Sequence, residues 1–112
     1  MTLSEVVMAT CAEFFGISFH IEKSVGRSNQ VDFLGVSPNF GEIRVELERR
    51  REDPVNNVVK AWRQANDKSN ERAFTLIHVF SGFYSSKPAK MQNARFIGQK
   101  MQEWSEANDR RI

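Results

Sequence analysis

The stretch Val31–Glu48, VDFLGVSPNFGEIRVELE, decides how the chain folds. Its centre, Ser37-Pro38-Asn39-Phe40-Gly41, is a cluster of turn formers between two runs of strand character, the pattern of a hairpin with a longer loop. In the second run Ile43, Val45 and Leu47 alternate with Arg44, Glu46 and Glu48, so the two sets take opposite faces of a strand. A hairpin symmetric about Asn39 pairs residues whose numbers sum to 78, which sets Val31, Phe33 and Gly35 across from Leu47, Val45 and Ile43 and makes one face continuously apolar. The same register sets Asp32 opposite Glu46, with Cβ atoms about 4.5–5.5 Å apart. Two facing carboxylates repel, so the pair needs a proton, a basic neighbour or a metal cation; the metal is the leading expectation.

Working outward, 112 residues with 40% hydrophobic content support one domain, 1–112, with one modest core. Sixteen basic against 14 acidic residues leave a net charge of +2, which neither demands nor excludes a polyanionic partner. A lone cysteine, Cys11, cannot form an internal disulfide, and no apolar run reaches the roughly 18 residues of a membrane span. The N-terminus lacks a secretory pattern, so a cytoplasmic location is expected.

Before the hairpin, a first helix capped by Ser4 is expected to run to about Phe15, with Leu3, Val6, Val7, Thr10 and Phe14 as its apolar stripe and Gly16 as its stop. Glu13, on the flank of that stripe, is the helix carboxylate best placed to reach the hairpin. Ile17–Ile21 reads as a short strand, and 26–29 as the turn into the hairpin. After it, Asp53-Pro54 starts a helix whose apolar face is Val55, Val58, Val59, Trp62 and Ala65, with Lys60 almost opposite. Residues 73–80 read as a strand buried on both faces, closed by Ser81-Gly82. A last helix starts near Pro88 with Ala94, Ile97, Met101 and Trp104 on one stripe, Phe96 outside it, and a frayed tail from Asn108.

The fold expected is therefore α/β: a small mixed sheet flanked by helices, in the order αβββαβα. With Asp32 on the second strand and Glu46-Leu47-Glu48 on the third, this order resembles the core of the restriction-endonuclease-like, or PD-(D/E)xK, nuclease superfamily over nearly the whole chain. The resemblance places the motif aspartate at Asp32, the second acid at Glu46, and Glu48 where the superfamily usually has lysine. Some branches carry an acid there and others draw the lysine from the following helix, for which Lys60 is the local candidate, although its helical phase argues against it. Val31 stands in the place of the motif proline.

The chemistry also follows from the residues. Mg²⁺ or Mn²⁺ takes one or two carboxylates, which Asp32 and Glu46 can supply, plus waters and phosphate oxygens; the resemblance implies the Leu47 carbonyl as a further ligand. Such a cation makes a nucleophile of water and neutralises charge on a phosphate, and Glu48 would orient that water or hold a second metal. The expectation is a Mg-dependent endodeoxyribonuclease, a homodimer if it cuts both strands. The alternatives are a non-catalytic nucleic-acid- or protein-binding module of a virus or mobile element on the same fold, or a subunit active only in a larger complex. A rival for Glu46 and Glu48 is a solvent-facing strand side with surface ion pairs. Arg27, Arg49, Arg50, Arg51, Lys87 and Lys90, with Lys23 and the Ser85–Ser86 loop, are candidate phosphate contacts, and a solvated edge is the rival for them. His20 and His78 have no zinc spacing and read as structural, and Cys11 lacks a nearby histidine to activate it.

Overall fold

In a computed structural model, residues 2–25, 29–67 and 73–108 are described, with side chains for all of them except 22–25 and 29–31. Helix α1 (Leu3–Phe15) starts two residues earlier than expected for its cap: Thr2, not Ser4, is the N-cap. The Thr2 hydroxyl accepts from the Glu5 N–H and the Glu5 carboxylate accepts from the Thr2 N–H, so each satisfies an otherwise orphaned donor. Gly16 ends the helix in the left-handed conformation at φ 66°. The packed face of α1 is Val7, Met8, Cys11 and Phe15, while Leu3, Val6 and Phe14 are exposed. That stripe is turned by about 100°, one residue's rotation, from the one expected.

Strands β1 (Phe19–Val25), β2 (Asn29–Ser37) and β3 (Gly41–Glu48) form an antiparallel meander. Phe33 pairs with Val45, Gly35 with Ile43 and Ser37 with Gly41, so the numbers sum to 78 as the hairpin symmetry requires. At the loop, the Ser37 hydroxyl accepts from the Asn39 and Phe40 N–H groups at 3.2 and 3.3 Å. Gly41 follows with φ 73°, and a Cβ there would lie 2.7 Å from the Ala73 carbonyl oxygen. The approach is tight because the Glu42 N–H donates to that same carbonyl at 3.1 Å, tying the hairpin to the start of the next strand. Gly41→Ala is expected to lower stability by about 1–3 kcal/mol through positive φ and the clash; a urea midpoint equal to the parent's would contradict this.

Helix α2 (Val55–Asn66) has Pro54 at its N-cap position, one residue later than expected, and crosses over to β4 (Phe74–Phe80), which runs parallel to β3. A 3-10 turn (Gly82–Ser86) leads into α3 (Pro88–Ala107). The strand order β1-β2-β3-β4 makes the fold a four-stranded mixed sheet with helices on both sides. It also leaves β4 at an edge, where only Phe74 is buried, so burial on both faces does not extend along this strand. One core lies under α1, around Cys11, Phe33, Ile43 and Val45; the other lies under α2 and α3, around Val58, Ala61, Ala65, Phe74, Ala94 and Met101. On α3, Ile97 and Trp104 join that second core and Phe96 stays outside, as the stripe implies. Among the described residues no helix is long and apolar enough to cross a membrane.

Candidate functional site

The alternation that turns Ile43, Val45 and Leu47 toward α1 turns Glu42, Arg44, Glu46 and Glu48 toward α2. These four are 7, 1, 5 and 1% exposed, which overturns the picture of a solvent-facing strand side. Buried charges persist only with partners, and α2 supplies them in order along its length. Asn57 Nδ2 donates to Glu48 Oε1, Lys60 Nζ lies 3.4 Å from Glu46 Oε1, and Gln64 Oε1 accepts from Arg44 Nη1 at 2.9 Å. Helix positions 57, 60 and 64 share one face at spacings of three and four, so they meet strand positions 48, 46 and 44 one after another. Arg44 also meets Glu42 at 2.8 Å and the face of Phe74, 3.8 Å from the ring centre.

This row corrects the helical phase read from hydrophobicity. The buried residues of α2 are Asn57, Val58, Ala61, Gln64 and Ala65, and Val59 is exposed. Two amides drawn inward by Glu48 and Arg44 rotate the helix by about a quarter turn from its apolar face, and Lys60 moves from the far side to the flank facing Glu46. The phase objection to Lys60 is thereby removed.

Asp32 stands at the end of the hairpin pairing. Its Oδ2 accepts from the Leu47 N–H at 2.7 Å, a carboxylate in place of the next rung of the ladder. A strand residue turns its N–H and C=O toward the same neighbour in an antiparallel pair, so the Leu47 carbonyl also faces β2. Burial raises the Glu46 carboxyl above its ordinary range; Lys60 opposes the rise, and the nearby charges of Asp32 and Glu48 add to it. The observed pairing ends at Phe33–Val45, so the expected rung of Asp32 with Glu46 is not among the pairs of the described residues, and the basic neighbour of Glu46 is Lys60. Among the described residues, no group of three or more His, Cys, Asp and Glu side chains is gathered to hold a metal ion, so Asp32, Glu46 and Glu48 do not form one cluster.

Glu48 belongs to a different set. His78 Nε2 lies 2.7 Å from its Oε1, Asn57 donates to the same oxygen, and Arg51 Nε is 3.6 Å from Oε2. Burial alone would raise this carboxyl; hydrogen bonds from His78 and Asn57, with the charges of His78 and Arg51, outweigh it and hold the group below its ordinary value. Two glutamates two residues apart are thus pushed in opposite directions by their surroundings. His78, on β4 beside Glu46 in the parallel register, is structural in the sense expected of it, with Glu48 as its partner.

Glu13 is exposed on α1, opposite the packed face of that helix. Arg49 donates to the Ser4 hydroxyl and, with Arg51, borders Asp32; Arg50 is exposed. Lys87 stacks on Phe83 at 4.6 Å and Lys90 pairs with Glu52 at 3.3 Å, at the start of α3. Ser85 and Ser86 are exposed in the 3-10 turn. Arg27 and the turn it belongs to lie outside the described residues, as do the side chain of Lys23 and the tail after Asn108. Cys11 is buried and its thiol is pushed up by burial, in line with an inert residue. Asn57 and Gln64 escaped the reading of the sequence. Their signal was a polar stripe, Asn57-Lys60-Gln64, matching the alternation Arg44-Glu46-Glu48 in reverse order. Comparison of the chain with family models, with curated proteins and with solved structures finds no match.

Proposed function

We propose that the protein is a metal-dependent nuclease of the restriction-endonuclease-like type, hydrolysing DNA phosphodiesters at Asp32, Glu46 and Lys60. The observation that carries this reading is the ion pair of Lys60 with Glu46, near enough to Asp32 for its charge to help raise the Glu46 carboxyl, at the end of two antiparallel strands followed by a parallel crossover. Lys60 takes the place of the lysine that the motif lacks at Glu48. The donor set suits a hard cation, since Mg²⁺ needs only one or two carboxylates when water and substrate oxygens complete its shell. Asp32 and Glu46 would hold it, with the Leu47 carbonyl turned to the same side. Bound there, it supplies an acidified water and neutralises charge on the phosphate.

The chain's own groups do the rest. Glu46, raised by burial, is readily ionised by a neighbouring cation, and the Lys60 ammonium that pairs with it would place its positive charge against a phosphate oxygen or donate to the attacking water. Glu48 acts at one remove, holding β3 against β4 and α2, and is no longer the candidate base. A non-catalytic binding module is the second reading, favoured by the burial of Glu46 to 5% exposure. Incubation with plasmid and with single-stranded DNA in Mg²⁺ or Mn²⁺ separates the two: cleavage of either that disappears in Asp32→Asn and Glu46→Gln supports the enzyme, and binding without cleavage of either by the parent overturns it.

Lys60 adds a test of direction. Because it lowers the Glu46 pKa, its removal leaves burial and Asp32 to act unopposed, and ionised Glu46 appears only at higher pH. Lys60→Ala is expected to lower cleavage by about 10²–10³-fold and to move the acidic limb of the rate profile upward in pH. A limb that stays in place would disconnect Lys60 from Glu46.

A further inference from the structure

Beside Asp32 the surface dips into a concavity of about 630 Å³ between the first turn of α1, β1 and the end of β3, lined by Ser4, Ile21, Asp32, Leu47, Arg49 and Arg51. Small-molecule sites run roughly 300–1,000 Å³ and combine an apolar wall with a few placed polar groups. Here the lining holds both kinds of group: guanidiniums from Arg49 and Arg51 with the Asp32 carboxylate, and aliphatic surface chiefly from Ile21, since Leu47 is 8% exposed. Ile21 is 57% exposed, so its side chain is free to be covered. Both arginines are tethered, Arg49 to the Ser4 hydroxyl and Arg51 to Glu48 at 3.6 Å. A guanidinium has five N–H donors, so the tethers fix direction and leave donors for an anion.

We propose that this concavity takes one unstacked nucleotide, its phosphate on Arg49 and Arg51 and its base against Ile21 and Leu47. A phosphate plus a flat ring with apolar faces answers both the guanidiniums and the aliphatic wall of this lining. A base enters such a recess only when it is out of its stack, which costs least in an unpaired strand. The substrate class is therefore single-stranded nucleic acid. The binding itself is independent of cleavage; only the role of the bound strand as substrate rests on the nuclease reading, through Asp32, which lines the same concavity.

The test is made without metal, so that it reads the concavity and not the reaction. Deoxyadenosine monophosphate and inorganic phosphate are titrated by calorimetry, and labelled 12-nucleotide single and double strands by fluorescence anisotropy. The mononucleotide is expected to bind at least fivefold tighter than phosphate, and the single strand at least tenfold tighter than the duplex. Arg49→Ala with Arg51→Ala should weaken the mononucleotide at least tenfold with an unchanged circular dichroism spectrum, and Ile21→Asp gives a second route should the arginine variant unfold. No mononucleotide binding at millimolar concentration, binding indifferent to these substitutions, equal binding of phosphate, or preference for duplex each overturns the proposal. Failure of plasmid cleavage leaves these titrations intact, and their failure leaves cleavage intact.

Discussion

Glu46→Gln is expected to abolish DNA cleavage, by at least about 10³-fold, in a protein that unfolds no more readily than its parent at neutral pH. The two effects come from one cause. Burial and neighbouring carboxylates raise the folded-state pKa of Glu46 above the ordinary 4.5. Where folded and unfolded values differ in this sense, the folded chain binds the extra proton, so stability falls as pH rises from the unfolded pKa through the folded one. At neutral pH the ionised side chain is a net cost to folding. Glutamine keeps the shape and removes the charge, and Lys60, with 27% of its side chain exposed, can turn to water. Cleavage assays beside urea unfolding measure both quantities. A variant that is inactive and also strongly destabilised would assign Glu46 to the scaffold instead.

Glu48→Ala is expected to do the reverse, costing about 3–5 kcal/mol of stability, the range for breaking a buried charge from its partners. It leaves the Asn57 amide and His78 without their acceptor beneath α2. In a domain of this size each kcal/mol moves the midpoint by several degrees, so a loss of more than about 10 °C in Tm is anticipated. The pH dependence has the opposite sign to that of Glu46. With its folded pKa held below the ordinary 4.5, Glu48 contributes stability that is present above that value and disappears as pH falls through the folded one. The parent should therefore lose stability on acidification below about pH 4.5 where Glu48→Ala loses less. Parallel acid limbs, or a cost below about 1 kcal/mol, would deny Glu48 this anchoring role.

The hairpin was readable because its information is local: a turn cluster, a period of two and a symmetric register are all contained within Val31–Glu48, and the observed pairs keep that register. The order of helices and strands followed from caps and breakers in the same way. Helix phase did not. In α1, Leu3, Val6, Val7, Met8, Cys11, Phe14 and Phe15 spread apolar surface around most of the helix, so hydrophobicity alone could not choose the side that meets Ile43 and Val45. In α2 the hydrophobic rule failed for a different reason: the surface it covers is charged, and its inward residues include Asn57 and Gln64. Strand alternation puts Glu46 and Glu48 on one face of β3, as observed, whereas the contacts of Glu48 with His78 and of Glu46 with Lys60 span 30 and 14 residues and carry no spacing signal of their own.

The row of contacts between α2 and β3 bears on more than the burial of charge. Apolar packing is non-directional and would tolerate a small slide of the helix along its axis. Hydrogen bonds lose their strength steeply with misalignment, and a shift of one turn would separate Asn57 from Glu48 and Gln64 from Arg44 together. The axial setting of α2 is fixed by the two pairs on either side of Lys60, and it is this setting that brings the Lys60 ammonium to Glu46.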